Sequence, residues 1–223
     1  MSNPRKIVFQ NGYIYHIFNR AVEGKQIFAT NTERERALML SHFYRFEELP
    51  MRLSHLLQLS PALQSDVLEK IKKQEQTIKI LAFAIMPNHF HFLLQQEKEN
   101  GIAKFISNFS NAYAKYYNTK HKRNGHIFQG RFKAVFIEND EQLIHVSRYI
   151  HLNPVVSSII ELTKLKSYRW TSYTEYITPQ PNSMVSTELI NSMFLRDKSY
   201  EKFVEDHVSY ARELHLIKSL ICE

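Results

Sequence analysis

The strongest constraint in this chain is an alternation. His89-Phe90-His91-Phe92 sits inside the apolar run from Leu81 to Leu94. In a strand, successive side chains point to opposite faces. His89 and His91 therefore share one face, while Phe90, Phe92 and Leu94 share the other. The spacing predicts a strand with an apolar back, buried against another layer, and two imidazoles on its front. Such a front is a platform for a divalent cation. Taken alone, a His-x-His pair is more often structural or exposed, so the reading depends on the rest of the chain.

The surrounding pattern is strand, helix, strand, strand, helix, strand, helix. Gly12–Val22 reads as a first strand, rich in aromatic and β-branched residues. A helix opens at Asn31, with Asn31 or Thr32 as its cap, and runs through Tyr44. Residues 48–76 read as a helical insertion in which Ser60-Pro61 starts one piece and Leu63, Val67, Leu68 and Ile71 form an apolar stripe. Lys79–Met86 is a strand, Pro87-Asn88 a break, and His89–Gln95 the next strand. Gly101–Asn118 is a helix, Lys120–Gly130 a basic loop and Arg131–Ile137 a strand. Asn139 or Asp140 caps a helix through Leu152, which Pro154 helps to end. From Leu162 onward the chain is mainly short helices. The order predicts an α+β fold, ferredoxin-like in outline, with an antiparallel or mixed sheet and helices packed on it.

Composition narrows the function. Apolar residues make up 43% of the 223 residues, enough for a real core. No run approaches the roughly 18 apolar residues of a membrane span, and Met1–Lys6 leads into no signal-peptide core. The single cysteine, Cys222, permits neither a disulfide framework nor a thiolate cluster. A cytoplasmic, nucleoid-associated location is expected. The net charge of +7 is unevenly placed. Gly101–Phe136 holds seven basic residues, no acid and eight aromatics. The seven are Lys104, Lys115, Lys120, Lys122, Arg123, Arg131 and Lys133. Basic groups interleaved with aromatics suit a phosphate backbone with bases stacked beside it. Phe105, Phe109, Tyr113 and Tyr116, at helical spacing, also read as core.

The helix from Asp140 supplies the chemistry. Tyr149 and Asn153, four residues apart, share one helix face. Leu143, Val146, Ile150 and Pro154 form a separate apolar stripe that can dock on a sheet. Tyr149 and Asn153 then lean toward the histidines. Two imidazoles and an amide oxygen leave positions for water and phosphate oxygens, which suits Mg²⁺ or Mn²⁺. Such an ion would polarise a phosphate that Tyr149 attacks. A phenol, with a reference pKa of about 10, needs help from a nearby metal or base. His145, one turn before Tyr149, is a candidate general base. His145 and His151 otherwise read as a helix-surface pair. Tyr113, Tyr116 and Tyr117 are rival nucleophiles by composition. Trp170 reads as a packing anchor.

Five ordered segments carry a family resemblance: Tyr15–Arg20, Met86–Leu94, Gly125–Lys133, Tyr149–Val155 and Ser167–Tyr173. Together they resemble the HUH single-tyrosine transposases of the insertion-sequence-200-like superfamily, and the REP-associated tyrosine transposase branch in particular. The resemblance implies an HUH-type domain over residues 10–155 and a mostly helical extension over 156–223. It implies a metal-dependent single-strand DNA endonuclease and strand transferase, forming a 5′-phosphotyrosine and a free 3′-OH without ATP. By the same match His89, His91 and Asn153 are metal ligands and Tyr149 is the nucleophile. Mobile-element relatives commonly carry Gln where this chain has Asn153, one methylene shorter. The implied substrate is a short hairpin with flanking single strand, of the REP-like repeat type. The implied state is a monomer, with a dimer as the alternative. The seven basic residues and Arg20 are the candidate DNA contacts, with Arg169 as a weaker one. Two rivals stand beside this reading. One is a domesticated repeat-binding protein without transposition. The other is a metal-dependent hydrolase of small phosphates, which the extended basic stretch disfavours.

Overall fold

The computed structural model describes residues 8–178, 180, 183–194 and 199–206. Met1–Lys6 and Cys222 lie outside them. Four strands form one antiparallel sheet: β1 (Ile14–Arg20), β2 (Ile78–Ile85), β3 (His89–Gln96) and β4 (Lys133–Phe136). Their spatial order is β2-β3-β1-β4. That is the ferredoxin-like order, in which the first and third strands occupy the centre. The expected α+β class holds.

Alternation along β3 divides the molecule into two layers. The back face carries Phe90, Phe92 and Leu94, all fully buried. Against it lies α4 (Gly101–Lys120), whose Phe105 and Phe109 meet Phe90 and Phe92 edge to face. Helix α1 (Asn31–Phe43) packs against α4. Helix α4 begins very close to the sheet. A Cβ on Gly101 would stand 2.2 Å from the Thr77 carbonyl oxygen, so only glycine fits there. The front face is covered by α5 (Asp140–Val156), which packs on β2 and β3.

Several local expectations shift. The cap of α1 is Thr30, not Asn31 or Thr32. Its hydroxyl accepts from the Glu33 amide while the Glu33 carboxylate accepts from the Thr30 amide. Helix α5 is capped by Asn139, but it does not stop before Pro154; it continues to Val156. So close to the end of a helix, the proline removes only one ladder bond, and its own carbonyl is used by the amides of Ile159 and Ile160. Residues 48–76 hold α2 (Leu53–Leu56) and α3 (Pro61–Lys72). On α3 only Ile71 is buried, and Leu63 is exposed. The apolar stripe there is thinner than its spacing predicts.

Beyond α5 the chain returns along the outer edge of β2. The Ile85 amide donates to the Trp170 carbonyl, the Ser172 amide to Phe83 and the Ser186 amide to Ile80. Tyr176, on α6 (Tyr173–Ile177), donates to the Leu81 carbonyl at a register shift between Ile80 and Ala82. Trp170 is buried, as a packing anchor should be. This segment and α7 (Tyr200–Glu205) also enclose His151. Far from the surface position expected of it, His151 is fully buried. Its two ring nitrogens meet the hydroxyls of Tyr200 at 2.6 Å and Ser172 at 2.7 Å. A helical wheel shows one docked stripe on α5, and a second covering layer becomes visible only in three dimensions.

Candidate active site

The front of the sheet brings the histidines to a cavity of about 1020 Å³. Register explains which neighbours they meet. Arg20 is opposite His89 and Phe18 is opposite His91, so these pairs share the front face. Lys133 of β4 is opposite Phe18 and joins the same face. Helix α5 closes the other side with His145, Arg148, Tyr149 and Asn153, all lining the cavity. The sheet and the helix thus bring His89, His91, Tyr149 and Asn153 together.

Their environments differ. Tyr149 is 51% exposed, whereas Asn153 is 7% and His91 5%. The Tyr149 ring centroid lies 5.5 Å from that of His91, edge to face. The Asn153 amide nitrogen is 3.4 Å from Nε2 of His91, and the same amide hydrogen-bonds His89. Both histidines are also held from behind. Nδ1 of His89 is 2.6 Å from the Asn88 amide oxygen. Nδ1 of His91 is 2.9 Å from Nε2 of His16. His16 lies in the segment Tyr15–Arg20, and its place in the sequence implies no role. The signal was its place on the same strand face as Phe18 and Arg20, but only the register of β1 on β3 shows what it touches.

Burial keeps this cluster neutral. It lowers His89 to about 4, with the Arg20 guanidinium pushing the same way. It lowers His16 to about 4. His91 is held well below the usual imidazole range by burial and then by the neighbouring His16 and His89 rings. Uncharged imidazoles have lone pairs to offer a cation. Among the described residues no three His, Cys, Asp or Glu side chains form a metal-binding group. A cation here would take two imidazole nitrogens and the Asn153 amide oxygen. That set fits, because both imidazoles face one amide and the open cavity leaves room for water and phosphate oxygens.

The rival tyrosines lie elsewhere. Tyr113, Tyr116 and Tyr117 sit on α4, in the layer behind the sheet. Tyr113 is fully buried, donates to the Ile27 carbonyl at 2.5 Å, and is pushed well above the usual phenol range by that burial. His145 lines the cavity with Tyr149, and its Nδ1 is 2.7 Å from the Arg148 guanidinium.

The basic stretch divides. Arg20 and Lys133 line the cavity. Lys122, Arg123 and Arg131 follow in the loop between α4 and β4. Lys104, Lys115 and Lys120 are on α4 behind the sheet. Lys120 bonds the buried Glu33 carboxylate at 3.0 Å, and Lys104 donates to the Glu47 carbonyl. Segments far away in sequence thus supply the acceptors that Gly101–Phe136 lacks. Arg169 pairs with Glu35.

Residues 59–153 match a family model described as transposase, IS200 like. The matched stretch contains both histidines, the tyrosine and the asparagine. That stretch is similar to the IS200-like transposases. Among solved structures, a REP-associated tyrosine transposase bound to a REP hairpin is 14% identical, with 83% of this chain and 91% of that chain covered and a TM-score of 0.50. At that identity the likeness concerns the fold. A putative transposase from Deinococcus radiodurans is 13% identical over 67% of this chain and 95% of its own, with a TM-score of 0.36. No curated protein matches the sequence. No helix among the described residues is long and apolar enough to cross a membrane.

Proposed function

We propose that this protein is a transposase of the IS200-like kind, which cuts and rejoins single-stranded DNA through a covalent link to Tyr149. The observation that carries the reading is the exposed Tyr149 ring standing beside His89, His91 and Asn153 at the mouth of one cavity. In the proposed step the Tyr149 phenolic oxygen attacks the scissile phosphorus. The Oη–P bond forms and the P–O3′ bond breaks. The phenol's proton leaves and the 3′-oxygen takes up a proton, giving a 5′-phosphotyrosine and a free 3′-OH. Rejoining reverses the step with a different 3′-OH.

His89, His91 and Asn153 would hold a divalent cation, Mg²⁺ or Mn²⁺. When bound, that ion supplies Lewis-acid polarisation of the phosphate and neutralises charge on the leaving oxygen. Arg20 and Lys133 would steer the backbone into the cavity, and Lys122, Arg123 and Arg131 would extend the track. His145 is close enough in sequence, one helical turn away, to serve as the base for Tyr149. The proposed substrate is a hairpin with flanking single strand, by analogy with the REP hairpin of the solved neighbour.

Covalent capture tests this. Labelled hairpin DNA with a flanking single strand is incubated with the protein and Mn²⁺. An SDS-resistant adduct is expected, absent with EDTA and absent in Tyr149→Phe. An adduct that persists in Tyr149→Phe would overturn the assignment of the nucleophile. Tight hairpin binding with no adduct under any metal would replace the enzyme with a repeat-binding protein.

A further inference from the structure

We propose that His16 is a positioning residue, which locks His91 in the tautomer that presents the Nε2 lone pair toward Asn153. The inference rests on the metal reading of the site for its purpose, though not for its geometry.

The two rings are nearly parallel, with centroids 5.1 Å apart and planes 22° apart. Nε2 of His16 and Nδ1 of His91 are 2.9 Å apart, and both residues are buried. Two neutral imidazole nitrogens at that distance share one proton: one must donate and the other accept. The other side of His91 decides which. Its Nε2 faces the Asn153 amide nitrogen, which can only donate. Nε2 therefore carries the lone pair and Nδ1 the proton. The proton on Nδ1 points at Nε2 of His16, which accepts it.

His89 repeats the arrangement with a different partner. Its Nδ1 faces the Asn88 amide oxygen, which can only accept. Asn88 is itself oriented by a bond from its amide nitrogen to the Gly24 carbonyl. His89 thus also leaves Nε2 as the lone-pair nitrogen. Two partners from separate elements, one in β1 and one in the turn before β3, impose the same tautomer on both imidazoles. An acceptor behind a ligating histidine fixes its ring and raises its basicity, and losing it typically costs about 10–100-fold in metal affinity.

The test reads the tautomer directly. Long-range ¹H–¹⁵N spectra of the metal-free, histidine-labelled protein should show His91 protonated on Nδ1. In His16→Phe, which keeps a ring but removes the acceptor, the His91 signal should move toward a mixture of tautomers. Mn²⁺ affinity, read by electron paramagnetic resonance, should fall about 10–100-fold. His16→Gln, whose amide oxygen accepts, should restore most of both. Hairpin binding without metal should be unchanged in each variant. The inference is overturned if wild-type His91 is protonated on Nε2, or if folded His16→Phe keeps the wild-type tautomer and affinity. A wild-type protein with the expected tautomer but no Mn²⁺ binding would remove the metal reading and leave the lock standing.

Discussion

The two faces of strand β3 make opposite use of alternating side chains. Behind the sheet, Phe90 and Phe92 enter a close set of edge-to-face rings with Phe105 and Phe109, all fully buried. In front, two residues of the same strand meet hydrogen-bonding partners and an open cavity. One face concentrates stability and the other reactivity. A single strand can serve both because the pleat insulates its two faces. A site residue on the front can change chemically without disturbing the packing behind it.

The comparison breaks most visibly through paired substitutions. Phe92→Ala is expected to lower unfolding free energy by about 3–5 kcal/mol, since it opens a cavity among rings with no room to collapse. Tyr149→Phe, at an exposed position, should stay within about 0.5 kcal/mol. Urea denaturation of the two variants measures the contrast, and similar losses would erase it.

A second contrast lies between the open cavity and the enclosed layer around His151. Burial holds His151 at about 3 in the folded protein. The unfolded chain takes up that proton near 6.5, the usual imidazole value. Its contribution to stability is therefore complete above about pH 6.5 and is lost as pH falls toward 3, by up to about 1.4 kcal/mol per pH unit. His151→Gln should flatten that slope by about one proton's worth in unfolding measured from pH 7.5 to 5.

The smallest effect sharpens the division of the basic residues. Lys133→Ala, at the cavity, should reduce the salt dependence of hairpin binding by about one counterion. Lys115→Ala, on the helix behind the sheet, should leave it unchanged. Filter binding across a salt series separates the two. Equal losses would mean that DNA wraps both layers.

Much of this was legible in the sequence. The period-two pattern around His89 places two imidazoles on one face wherever that strand lies. The i,i+4 spacing of Tyr149 and Asn153 puts them together on a helix for the same local reason. The order of elements gives the α+β class, because strands interspersed with amphipathic helices bury both by stacking the helices on one sheet. The match of residues 59–153 to the IS200-like transposases agrees with that reading. Less was legible where a residue's partner comes from far along the chain. Lys120 reads as a free cation until Glu33 is brought to it, and His151 as a surface residue until Ser172 and Tyr200 close over it.

The main strands and helices, the two faces of β3 and the pairing of Tyr149 with Asn153 follow from local residues, since each depends on backbone geometry within a few positions. That His16 lies behind His91, that Ser172 and Tyr200 close over His151, and which basic residues look onto the cavity emerge in three dimensions alone. Those facts depend on strand register and layer packing, set by contacts between residues tens of positions apart, and no local period encodes them.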